Sequence, residues 1–171
     1  MHIAILSDTH DHTDRLRQAL DIIKQKNITR AFHLGDLCSP FIVKQLADSS
    51  LQWHCVWGNN DGDRLMCSHL AGENVTLSDN DFLELEVEGK RIFLTHYPEV
   101  ARLAALSGRF DAVFYGHNHT ASQEIIAHQS CKGKAATLLV NPGESSGVRF
   151  GKPCFAIYDT ESNSIEQIEL P

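Results

Sequence analysis

Five short polar segments carry the side chains that could bind a metal: Ser7-Asp8-Thr9-His10, Gly35-Asp36, Gly58-Asn59-Asn60-Asp61, His96-Tyr97-Pro98 and Gly116-His117-Asn118-His119. From them Asp8, His10, Asp36, Asn59, His96, His117 and His119 offer oxygen and imidazole nitrogen and no thiolate, a mixture that suits Zn, Mn, Fe or Ni. Seven side chains exceed what one ion can use. If one carboxylate bridges, two ions each receive four protein contacts and keep positions open for water. Two carboxylates against two divalent ions leave roughly +2, or about +1 with a bridging hydroxide, so the spot attracts a compact anion such as phosphate. Two metals about 3.5–4 Å apart can activate water and stabilise both oxygens of an in-line displacement.

Each segment alone has a plainer reading. Asp8 could cap a helix, Gly35-Asp36 and Asn59-Asn60-Asp61-Gly62 could be turns, and His96 could be a packed histidine. What separates them from chance is their common place at predicted strand ends. Residues 3–6 are continuously apolar, as in a strand buried on both faces. Leu16, Ala19, Leu20, Ile22 and Ile23 follow at helical spacing and predict a helix over 13–26. Ala31–Leu34 is a second strand, Ser39-Pro40 reads as an N-cap with proline at the first helical position, and 53–57 is a third strand. The front of the chain is thus β-α-β-α-β.

Further on, Leu83, Leu85 and Val87 alternate with acids, as in a half-exposed strand. Glu88-Gly89 turns the chain into a strand at 91–95. Pro98 opens a helix expected to bury Val100, Leu103 and Ala104, and 111–115 is another strand. From 122 onward the pattern is β only: 122–128, 135–140, 153–159 and 164–170, with a turn at Lys132-Gly133-Lys134. In α/β sheets ligands gather beyond the carboxyl ends of strands, so five loops can converge. An α/β front with a β-rich tail predicts two stacked sheets with helices outside.

The 171 residues predict a single domain over 1–171, large enough to bury about 70% of the unfolded chain's surface without a staple. With 15 basic and 22 acidic residues the net charge is −7, which disfavours a broad nucleic-acid-binding face. No signal peptide or membrane span is expected. Five cysteines without a Cys-x-x-Cys pair read as free thiols of a reducing compartment, the cytoplasm. Of the other histidines, His33 is expected in a satisfied core position beside the site, and His12 is a candidate substrate contact. Apolar residues around Phe150 or Trp53 leave a homo-oligomer open, and the 62–80 and 141–152 loops are expected to wall the pocket.

Taken in order, Asp8-x-His10, Gly35-Asp36, Gly58-Asn59, His96 and Gly116-His117-Asn118-His119 resemble the calcineurin-like metallophosphoesterases, closest to their small single-domain phosphodiesterase branch. The likeness extends to Asn141-Pro142-Gly143-Glu144. It implies a four-layer αββα sandwich of two mixed β-sheets flanked by helices. It also implies that Asp8, His10, Asp36 and His119 hold one metal, and Asp36, Asn59, His96 and His117 a second, with Asp36 bridging. Asn59, Asn60 and His117 would carry catalytic roles. Many relatives have a histidine where Asn60 stands. Asn60 can donate a hydrogen bond but cannot act as a general acid near neutral pH. The expected activity is hydrolysis of a small phosphate ester by a metal-activated hydroxide, with diesters preferred to monoesters. The cofactor would be two divalent ions (Mn²⁺, Ni²⁺, Fe²⁺ or Zn²⁺). The alternatives are a metal-bearing, non-catalytic protein-binding scaffold and a nuclease.

Overall fold

The computed structural model describes residues 1–128 and 133–171. Cys131 and Lys132, the latter at the expected 132–134 turn, lie outside the described residues. Eleven strands form two sheets among the described residues. In the first, β1 (His2–Leu6), β2 (Arg30–His33), β3 (Gln52–Cys55) and β4 (Val75–Leu77) run parallel; β10 (Cys154–Asp159) pairs antiparallel with β1 and with β11 (Ser164–Glu169). In the second, β6 (Lys90–Thr95), β7 (Ala112–Phe114) and β9 (Ala136–Asn141) run parallel, edged by antiparallel β5 (Phe82–Val87) and β8 (Ser122–Ala127).

Side-chain alternation builds the layers. On β1, Ala4 and Leu6 pack outward with Leu16, Ala19 and Ile23 of α1 (Thr13–Gln25) and Ile42, Val43 and Leu46 of α2 (Pro40–Asp48). Ile3 and Ile5 point the other way, into a layer with Phe32, Leu34, Ile92, Leu94, Phe114 and Val140 between the sheets. The far face of the second sheet is covered by α4 (Pro98–Leu106). The order of layers is helix, sheet, sheet, helix, as the sequence predicts.

Three local expectations give way. The 62–80 segment is not a plain loop: it holds α3 (Arg64–Leu70), capped by the Asp63 carboxylate on the Met66 N–H, and the short strand β4. On α4 the buried residues are Ala101 and Ala105, which let the helix sit close to Phe93 and Phe110, while Val100 and Leu103 stay exposed. Ser39 occupies the N-cap of α2 but turns its hydroxyl to Asp11 Oδ1. Among the described residues no helix is long and apolar enough to cross a membrane, and Cys38, Cys55, Cys67 and Cys154 are free.

Candidate metal centre

Parallel pairing puts the carboxyl ends of β1, β2 and β3, and of β6, β7 and β9, at common sheet edges. Backbone hydrogen bonds then tie the loops beyond them. Asp8 N–H donates to Gly35 O at 3.1 Å, His10 N–H to Asp36 O at 3.1 Å, and Gly116 N–H to His96 O at 3.1 Å. Ser145 N–H reaches Ser7 O at 2.9 Å, joining the late loop to the first. Close approach demands glycine here. A Cβ on Gly58 would collide with Asp36 Oδ1, and one on Gly116 with Ser7 Oγ and Asp8 Oδ2.

All seven predicted side chains meet there, in two groups. His10 Nε2 lies 3.2 Å from His119 Nε2, 3.5 Å from Asp36 Oδ2 and 3.9 Å from Asp8 Oδ1. His119 Nε2 is 3.4 Å from the same Asp8 oxygen, and the four residues can place ligand atoms within 4.8 Å of one another. In the second group Asn59 Oδ1 lies 2.8 Å from His117 Nδ1 and 3.1 Å from His96 Nε2, with those two nitrogens 3.2 Å apart. His96 Nε2 is also 3.5 Å from Asp36 Oδ2. One oxygen of Asp36 therefore faces both groups. Asp8, Asp36 and His96 form a buried floor, His10, His117 and His119 are half-buried, and Asn59 is exposed at the rim.

The donor set fits divalent cations. Asp8 Oδ1 is buried without a hydrogen-bond partner, which is costly for a carboxylate oxygen unless a cation faces it. Burial also pushes the Asp8 carboxyl up, only partly offset by Ser7 and by His96 and His119. The Nδ1–H of His96 donates to Leu34 O at 2.7 Å, leaving the Nε2 lone pair toward the cluster. His119 does the same through Glu144 Oε2 at 2.8 Å. Imidazole nitrogens 3.2 Å apart suit ligands that share an ion at about 2.0–2.1 Å. At Asp36 burial is outweighed by His96, by the Asn60 side-chain and backbone hydrogen bonds and by His10, which together hold the carboxyl low and ionised.

A family model for the calcineurin-like phosphoesterase superfamily domain matches residues 1–163. The chain belongs to the calcineurin-like phosphoesterase superfamily. Phosphodiesterase MJ0936 of Methanocaldococcus jannaschii is 33% identical over 99% of both chains. A solved archaeal phosphodiesterase superposes with a TM-score of 0.86 at 32% identity, covering 99% of this chain and 100% of the other. Vps29 of Entamoeba histolytica shares the fold at a TM-score of 0.65 and 16% identity, with both chains fully covered.

Within this calcineurin-like frame two carboxylates hold the site without joining either group, a role that sequence reasoning gave to neither although both stand in segments it singled out. Asp61 accepts the backbone N–H of Gly58, Cys38 and Asp36 at 2.6, 2.7 and 3.1 Å, stapling the β2 and β3 loops together. Glu144, fully buried, takes His119 Nδ1–H, the N–H of Arg149 and Phe150 and the Ser146 hydroxyl. The signal for Glu144 was its place at the end of Asn141-Pro142-Gly143-Glu144, the late element to which the family likeness extends. Asn60 turns its amide onto Asp36 Oδ2 at 2.8 Å, and its backbone N–H onto Oδ1 at 2.8 Å.

His33 takes the satisfied position expected of it. Its Nδ1 accepts the Gly35 N–H, and its Nε2–H faces Thr9 Oγ1. Burial drives it down to about 3, against the opposing pull of Asp36. His12 takes the N-cap position of α1 without a side-chain cap. Cys38 Sγ stands 3.5 Å from His10 Nδ1. Burial, with Asp36 and Asp61 nearby, pushes its thiol up to about 12, so it remains a thiol behind the ring.

Proposed function

We propose that this chain is a binuclear metal-dependent phosphodiesterase in which residues 1–171 act as one domain. The carrying observation is the single Asp36 oxygen facing both donor groups. The phosphodiesterase relative at 33% identity over nearly the full length supports the same reaction class. In this reading Asp8, His10, Asp36 and His119 hold one ion and Asp36, Asn59, His96 and His117 the other. When bound, two divalent ions supply a water that ionises near neutral pH and Lewis-acid stabilisation of the phosphoryl oxygens. Zn²⁺, Mn²⁺, Fe²⁺ and Ni²⁺ all suit the nitrogen and oxygen donors.

The protein's own part is to fix geometry and protonation. The buried floor keeps Asp8 and Asp36 aimed at one point, while the Leu34 carbonyl and Glu144 lock two ring tautomers. Asn59 and His117, on the accessible side of the second group, lie where a phosphoryl group would arrive. Asn60 is committed to Asp36 and has no ionisable proton to give a leaving group. Esters whose leaving group departs as a stable anion should therefore be the good substrates, since general acid help worth about 10²–10⁴-fold is missing. Cytoplasmic residence agrees with the four free cysteines among the described residues.

The test pairs metal analysis with hydrolysis of bis(4-nitrophenyl) phosphate and 4-nitrophenyl phosphate, after loading with each of the four metals. The wild type should bind two ions per chain and cleave the diester faster. Asp36→Ala should lose both ions and fall by more than the about 10–100-fold that outer partners of a metal site cost. Full metal content with an unchanged rate in that variant would overturn the proposal. Stable loading of the wild type without turnover would favour a scaffold.

A further inference from the structure

A cavity of about 480 Å³ opens beside the metal centre, and of the seven candidate ligands only His119 lines it. Ala121, Cys154 and the Phe150 ring supply apolar wall, with Lys152 and Glu169 also at the lining. Its size is that of a small-molecule site. Phe150 is 55% exposed, a large apolar surface left open on a loop rather than packed. The loop is nonetheless held: buried Glu144 accepts the Phe150 N–H at 2.7 Å and the Arg149 N–H at 3.0 Å. The same carboxylate grips His119. One buried group thus ties the backbone that carries Phe150 to the His119 ring.

In-line displacement at a phosphodiester puts the leaving oxygen opposite the nucleophile, so the retained ester arm projects sideways from phosphorus. The cavity borders the group of donors that contains His119, and none of Asn59, His96 and His117 lines it. We propose that it receives the retained arm of the diester and that it selects a planar aromatic arm, stacked on Phe150, over a small aliphatic one. This rests on the phosphodiesterase reading and sharpens it. Lys152 and Glu169 carry opposite charges, so the pocket sorts by shape and aromatic surface rather than by charge. A monoester has no second arm to place there, which gives a physical origin to a preference for diesters.

The experiment holds the leaving group constant. The metal-loaded protein is assayed with phenyl 4-nitrophenyl phosphate and methyl 4-nitrophenyl phosphate, and the ratio of kcat/KM for the two is compared between the wild type and Phe150→Ala. The wild-type ratio should favour the phenyl ester, and the substitution should lower that ratio by roughly tenfold, mostly through KM. Phe150→Trp should restore it. Phenylphosphonate and methylphosphonate, titrated calorimetrically into the same proteins, should show the same preference and the same loss in binding alone. A wild-type ratio near one, or a preference that Phe150→Ala leaves intact, overturns the pocket assignment. If the wild type releases nitrophenolate from neither ester, the diesterase reading fails, and the phosphonate titration still decides the pocket.

Discussion

Replacing Glu144 by glutamine keeps volume and shape and removes one charge and one acceptor. In the native protein both carboxylate oxygens accept. Oε1 takes the Phe150 N–H, and Oε2 takes His119 Nδ1–H, the Arg149 N–H at 3.0 Å and the Ser146 hydroxyl at 3.3 Å. A glutamine has one carbonyl oxygen, so whichever way it turns, its NH₂ points at a donor. One buried N–H or the His119 ring loses its acceptor, which costs about 1–3 kcal/mol. The bond that survives to His119 is no longer charge-assisted and has roughly half its strength. For the metal-free protein this predicts a fall of roughly 1 M in the urea midpoint with an unchanged slope. For metal binding it predicts a loss of about 10–100-fold at the site that includes His119, and little change at the other. Chelator competition resolves the two sites, and urea titration of the stripped protein gives the stability. A Glu144→Gln protein with the wild-type midpoint and both affinities intact would refute the assignment of Glu144 as the support of His119.

Asp61→Ala should separate the β2 and β3 loops, because three backbone N–H groups lose their acceptor. A thermal melt should show about 1–3 kcal/mol of destabilisation, and metal analysis should show weaker retention at both sites. Gly58→Ala should keep the far-UV circular dichroism of the wild type yet lose metal, since its Cβ displaces Asp36 Oδ1; full metal content would contradict that. His33 supplies a pH signature. Its pKa is about 3 when folded against 6.5 when free, so between those values the unfolded chain binds more protons and stability falls as pH falls. In the stripped protein the unfolding free energy from urea titration should drop more steeply from pH 7 to pH 5 for wild type than for His33→Gln, by up to about 1.4 kcal/mol per pH unit. Parallel curves would rule His33 out as the cause.

Period and punctuation made most of the fold legible. The apolar run at 3–6 had to be buried on both faces, and Ala4 and Leu6 do meet the helices while Ile3 and Ile5 meet the second sheet. The seven ligand candidates were legible for a related reason. Chemistry-bearing residues directly after apolar runs sit at strand ends, and parallel strands bring those ends to one edge. Legibility stopped where packing decided between equivalent faces. On α4 the apolar residues surround more than half the helix, and it is the small Ala101 and Ala105 that permit a close fit. α3 and β4 escaped because Arg64–Leu70 and Val75–Leu77 are too short for a period to show.

The supports of the site were hidden for a different reason: their evidence lies in backbone conformation. Asp8, His10, Asp36, His117 and His119 all have positive φ, between 43° and 69°. Such left-handed residues cost roughly 1–3 kcal/mol each and persist only where their surroundings over-determine them. Here the surroundings are the cross-loop backbone bonds and the two carboxylates Asp61 and Glu144, which accept seven hydrogen bonds between them. The strain has a geometric return. In an extended strand residues two apart already share a face, which is why spacing nominates Asp8 with His10 and His117 with His119. Extension would also carry the second member of each pair about 7 Å further along the strand. The left-handed residues at 8, 10, 117 and 119 replace that extension with turns. In the turned chain His10 Nε2 comes within 3.2 Å of His119 Nε2, although the two lie on loops from different sheets.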